Sequence, residues 1–275
     1  MNQLKSPKDR FLPNTDQVSI IAATILLTFA MAAFINFQIQ DLRIVLGNIY
    51  VTISLNIQTA ITVIASILAA SGADWLIRNH PLWNKRNTIE HWVLPLLTTF
   101  VLGFLIGRQG NGTYGWWSFF LGAALIMGIL VAEFITVNPQ DPNYPIAVTL
   151  LLAISYLLFL IFCILVRILN YRLLFILPTL FFATLLVSLR SFRLRHPLGW
   201  SFSEALIISI LTTQLATALH YWPISPLSYG LALFGVAYPL FLFLQRLKSN
   251  PAVRVGYVEP MVILIISWSL AYWLK

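Results

Sequence analysis

What this chain has little of is charge. Lys, Arg, Asp and Glu make up 9% of its 275 residues, against roughly 25% in soluble globular proteins. Such a deficit excludes an ordinary solvated surface. There is one cysteine, Cys163, inside an apolar run, so neither a disulfide framework nor a cysteine metal site is available. The four histidines (His80, His91, His196 and His220) never show the i, i+4 spacing with a glutamate that a helical zinc site uses. Also missing are a Gly-x-Ser-x-Gly elbow, a glycine-rich phosphate loop ending in Lys-Ser/Thr, a haem-attachment Cys-x-x-Cys-His, paired Asp-rich motifs and clustered histidine boxes. No ionisable residue stands near the middle of an apolar run, where ion-coupled transporters and proton pumps carry one. These absences tell against the common intramembrane chemistries.

What is present is hydrocarbon. Hydrophobic residues make up 59% of the chain, and a spanning helix needs about 20 of them in succession. The apolar runs fall at 18–37, 51–71, 91–107, 114–137, 146–166, 173–189, 202–219, 227–244 and 260–275. The fold class they predict is all-α: a polytopic helical membrane bundle of about nine transmembrane helices, with eight to ten as the range. Residues 1–17 form a short polar tail, and 18–275 a single helical transmembrane domain, with no stretch left for a soluble one. The first run is longer than the 7–15 residues of a signal-peptide core, so it reads as an uncleaved span. The second is the least regular. Residues 43–55 are β-branched and partly alternating, which admits a short surface hairpin, although a span over 51–71 is the working assignment.

A net charge of +8 would suggest nucleic acid in a soluble protein. Here the cations sit in short loops. With the N-terminus inside, twelve lie on the inner side: Lys5, Lys8, Arg10, Arg78, Lys85, Arg86, Arg190, Arg193, Arg195, Arg246, Lys248 and Arg254. Five lie outside: Arg43, Arg108, Arg167, Arg172 and Lys275. That bias predicts a cytoplasmic N-terminus and no nucleic-acid partner. The bilayer is the expected partner, together with other membrane subunits or further copies of the chain. No cofactor and no metal are expected.

Chemistry-bearing side chains collect toward the inner face. Asp74, Arg78, His80, His91, Glu133 and Asp141 are candidates for binding a ligand or a lipid headgroup; Glu90, Glu204, His196 and the arginines of 190–195 lie on the same side. A headgroup phosphate clamped by arginines is one reading; an interfacial ion-pair cluster combined with topology signals is the other. At the opposite face, His220 and Trp222 in HYWPISPL (220–227) read either as an aromatic belt with a tight turn or as a docking surface. Asn56, Gln58 and Gln214 are the polar residues within spans, suited to interhelical hydrogen bonds. Gly103 and Gly107 set a Gly-x-x-x-Gly spacing that lets helices approach closely. No residue is assigned a catalytic role.

Four stretches taken together carry a resemblance: ADWLIRNHP (73–81), HWVLP (91–95), AEFITVNPQDPNYP (132–145) and HYWPISPL (220–227). They resemble a family of bacterial polytopic integral membrane proteins known only as a domain of unknown function. The likeness covers nearly the whole chain. It implies a bacterial inner-membrane location and a single domain, and brings no catalytic residue with it. The expected function is a non-enzymatic structural, assembly or accessory membrane subunit. A small-molecule or lipid transporter or flippase is the alternative, and an intramembrane lipid-modifying enzyme the second.

Overall fold

In the computed structural model, the described residues are 12–34, 40–46, 49–55, 57–83, 88–108, 113–170, 172–195, 199–249 and 258–274. Several residues named above lie outside them, including the tail cations, Asn56, Lys85, Arg86, His196 and Arg254. The helical bundle expected from the apolar runs is what the chain forms. In order come α1 (Thr15–Phe34), β1 (Gln40–Leu46), β2 (Ile49–Leu55), α2 (Ile57–Arg78), a 3-10 turn (Ile89–His91), α3 (Val93–Arg108), α4 (Thr113–Ile135), α5 (Tyr144–Leu169), α6 (Leu173–Arg195), α7 (Phe202–His220), α8 (Pro226–Ser249) and α9 (Val258–Trp273). Each α-helix coincides with one apolar run. Six of them are long and apolar enough to cross a membrane, while α1, α4 and α9 supply shorter apolar stretches.

The second run needs a correction. Residues 51–55 are not the start of a span but the second strand of an antiparallel hairpin, with register Gln40↔Leu55 to Leu46↔Ile49. The helix begins only at Ile57. The alternating β-branched residues suit a pleated strand better than a helix.

Local chemistry explains several boundaries. Asn14 Oδ1 accepts the Asp16 backbone N–H at 3.1 Å, and its carbonyl accepts from Gln17 and Val18, which starts α1. Pro145 stands in the first turn of α5, where its missing N–H costs nothing. The turn before it, with Pro139 and Pro142, cannot be helical. It closes instead on its own side chains: Asn138 Oδ1 accepts from Gln140 N at 3.1 Å and Asp141 Oδ1 from Asn143 N at 2.7 Å.

The chain divides into two compact units, Met1–Ala147 and Val148–Lys275. In the first, α1 to α4 pack on one another around Val18, Ile21, Ile25, Phe29, Leu76, Leu102, Ile126, Leu130 and Phe134. Ala65, Ala69 and Ala73 recur every four residues along α2 and keep its inner face thin. Gly72 extends that thinness: a Cβ there would lie 2.6 Å from Ile21 Cγ2 of α1. Close backbone approach of this kind holds helices together in lipid, where apolar surface gains nothing by leaving its solvent.

In the second unit, α6 packs with α7, α7 with α8, and α8 with α9. α5 meets α8 through rings, Tyr156 lying 4.7 Å from Tyr238 and 5.5 Å from Phe241 between centroids. Cys163 is buried on α5.

Candidate functional site

The six inner-face residues expected from the sequence all fall at one end of the first unit. Asp74 and Arg78 occupy the last turn of α2, one helical turn apart, with Arg78 Nε 2.7 Å from Asp74 Oδ2. Asp74 Oδ1 accepts two further hydrogen bonds, from the Thr88 hydroxyl and from Trp92 Nε1 at 3.2 Å. Thr88 stands at the cap of the 3-10 turn yet gives its hydroxyl to Asp74 instead of to the backbone. One carboxylate thus ties the end of α2 to the segment leading into α3. Arg78 also lies over the Trp83 ring at 5.9 Å.

The second grouping is deeper. Glu133, in the last turn of α4, is 1% exposed. Its Oε2 lies 2.7 Å from His91 Nδ1. The other ring nitrogen of His91 faces Glu90 Oε1 at 3.5 Å. His91 therefore lies between two carboxylates, one contributed by its own turn and one by α4. Burial of such a pair is tolerable only because the partners satisfy each other.

His80 completes the end. It is buried, its ring packs on Phe134 at 4.5 Å, and its Nδ1 accepts the Leu82 N–H at 3.1 Å. Burial is the main influence on this imidazole and holds it below the ordinary histidine range; the nearby Asp141 pulls the other way, and His91 adds to the depression. Asp141 is itself buried at the centre of the proline-rich turn. Among the described residues no group of three or more His, Cys, Asp and Glu side chains is placed to hold a metal ion.

Two participants were not anticipated. Thr88 and Trp92 bind Asp74; Thr88 belongs to no recognisable motif, and Trp92, although part of HWVLP (91–95), was not read as a partner of Asp74.

His220 and Trp222 do something different from what their side chains suggest. Arg167, near the end of α5, donates from Nη1 to the His220 carbonyl at 2.6 Å and from Nη2 to the Trp222 carbonyl at 2.8 Å. Its guanidinium also lies over Tyr229 at 5.4 Å. The His220 carbonyl ends α7, so the arginine caps it; the Trp222 carbonyl, in the turn beyond, also accepts the Ile224 backbone N–H at 2.8 Å. Trp222 itself is exposed, and Gln214 points outward on α7. Gly103 is packed against α2, whereas the surroundings of Gly107 lie outside the described side chains.

The class these features define is a bundle of apolar helices with one buried acid–histidine cluster. The chain belongs to the family described as "Protein of unknown function (DUF5656)", which matches residues 37–274 and so takes in the hairpin, the cluster and α5 to α9. No curated protein and no solved structure matches it.

Proposed function

We propose that this is a multi-pass protein of the bacterial inner membrane, with a cytoplasmic N-terminus, serving as a non-enzymatic structural, assembly or accessory subunit. The observation behind this reading is the mutual satisfaction of the polar end. Asp74 is held by Arg78, Thr88 and Trp92, and Glu133 by His91. A catalytic or carrier site keeps groups available for something that arrives. Here the same groups join the ends of α2 and α4 to the turn before α3, which is the work of a clamp. A headgroup-sized cavity walled by Asp74, Arg78 and Glu133 would favour the enzyme or the carrier.

The test is native mass spectrometry of the full chain, extracted in mild detergent from its own membrane. A stoichiometric partner chain is the expected result. A lone chain that instead retains a metabolite and turns it over, with activity lost in Glu133→Gln, would replace this reading with the enzymatic one.

A further inference from the structure

The second unit contains a cavity of about 350 Å³ between α5 and α8. That volume falls within the roughly 300–1,000 Å³ typical of small-molecule sites. Its walls are almost wholly apolar: Leu152, Leu160, Phe234 and Phe241 among them, with Leu157 half exposed at the flank. Four residues break the apolar lining: Thr149, Tyr156, Arg195 and Tyr238. Arg195, the last residue of α6, stands at one end. Tyr238 lies within electrostatic reach of Arg195 and also of Glu259, a carboxylate that is itself paired with Arg246. Tyr156 lines the wall, 3% exposed, with Ser191 beside its hydroxyl; Ser191 gives its own hydroxyl proton to the Val187 carbonyl at 2.7 Å, which leaves its oxygen able to accept from Tyr156.

The charges at this end of the unit are unequal in their commitments. Arg246 pairs with Glu259, and Lys248 binds Glu204 at 3.0 Å and Ser201 at 2.7 Å. Arg195 is exposed and makes no ion pair among the described residues. A cation without a counterion among the described residues, at the mouth of a largely apolar groove, suits an anion attached to a hydrocarbon chain.

We propose that this groove binds a phospholipid with an anionic headgroup, its phosphate on Arg195 beside the Tyr238 hydroxyl and an acyl chain along Leu152, Leu157, Leu160 and Phe234. Arginine offers the planar fork that phosphate oxygens accept. Aromatic and aliphatic walls suit a chain that would otherwise lie in the bilayer. The site is independent of the acid–histidine cluster of the first unit, so it stands or falls apart from the accessory-subunit reading.

The experiment uses the purified full chain, delipidated and then offered phosphatidylglycerol or phosphatidylcholine in detergent, with bound lipid counted by native mass spectrometry. Phosphatidylglycerol should be retained at one per chain and at least tenfold more strongly than phosphatidylcholine. Arg195→Gln should abolish that preference. Ala153→Trp, which fills the groove and keeps the arginine, should lower retention of both lipids. Lys248→Gln, which removes a paired cation from the same end, should leave retention within twofold. Equal retention of the two lipids would overturn the proposal, as would equal losses in Arg195→Gln and Lys248→Gln, or a fully retained lipid in Ala153→Trp. Circular dichroism confirms that each variant keeps its helices before its result is counted.

Discussion

Glu133 and His91 are the pair on which the polar end of the first unit depends. With Oε2 2.7 Å from Nδ1 and both side chains buried, neither has water as a substitute partner. Glu133→Ala would leave the imidazole facing an apolar gap, at a cost of about 1–3 kcal/mol. Glu133→Gln keeps an acceptor in place and should lose clearly less. Thermal unfolding in detergent ranks the two, and equal stability of wild type and Glu133→Ala would show that the pair contributes nothing. His80 adds a pH dependence. Because burial lowers its folded pKa, the neutral imidazole is favoured in the folded protein and the proton is bound more readily after unfolding. Its contribution is complete above the ordinary histidine value near 6.5 and is lost as pH falls from there through the folded value. The melting temperature should decline on going from pH 7 to pH 5, and His80→Phe, which keeps the packing on Phe134 but cannot titrate, should decline less steeply.

At the scale of elements, helix spacing is set by a few small residues, and the glycines differ sharply. A Cβ on Gly103 of α3 would lie 2.6 Å from Thr62 Oγ1 of α2 and 2.9 Å from Phe29 Cε1 of α1, so three helices would have to move. A Cβ on Gly128 of α4 would meet nothing within 4 Å. Gly103→Ala should therefore destabilise by about 1–3 kcal/mol through overpacking. Gly128→Ala should be neutral or slightly stabilising, since alanine is the better helix former by about 1 kcal/mol. Unfolding curves in a denaturing detergent separate the two. Similar losses in both would mean that the α2–α3 spacing adjusts freely. The hairpin belongs at this scale too: its strands exchange hydrogen bonds along their full register, whereas the alternation of its residues would give a helix no consistent apolar face.

At the scale of the whole molecule, the proposed orientation places the turn before α5 inside and the turn after it outside. Gln140 and Asn170 are exposed residues of those two turns, separated by the 26 residues of α5. That length is about 39 Å at 1.5 Å per residue, enough to cross the roughly 30 Å hydrocarbon core. The native cysteine is buried, so a cysteine introduced at either position would be the reactive one. Asn170→Cys should react with a membrane-impermeant maleimide in intact cells, and Gln140→Cys only once the membrane is opened. Reaction of both from the same side would show that α5 does not cross. Asn170 has φ 49°, a left-handed conformation that asparagine tolerates better than most residues, so a modest loss of stability in Asn170→Cys is expected as well.

The helices were legible in the chain itself because each is an unbroken apolar run, and a backbone surrounded by hydrocarbon must satisfy its own hydrogen bonds. The breaks were legible for the same kind of local reason, most clearly at Pro139, Pro142 and Pro145. The sequence also marked Asp74, Arg78, His80, His91, Glu133 and Asp141 as polar groups crowded toward one side. What it did not contain was their pairing. His91 and Glu133 are 42 positions apart and Thr88 and Asp74 are 14, and such partners meet only through the packing of α2, α3 and α4. The same holds for Arg167, which reads as a topology signal in the chain and becomes a donor to carbonyls more than 50 residues away once α5 and α7 lie in place. Local composition determined which segments are helices; tertiary packing alone decided which charges found partners, and left Arg195 beside a groove.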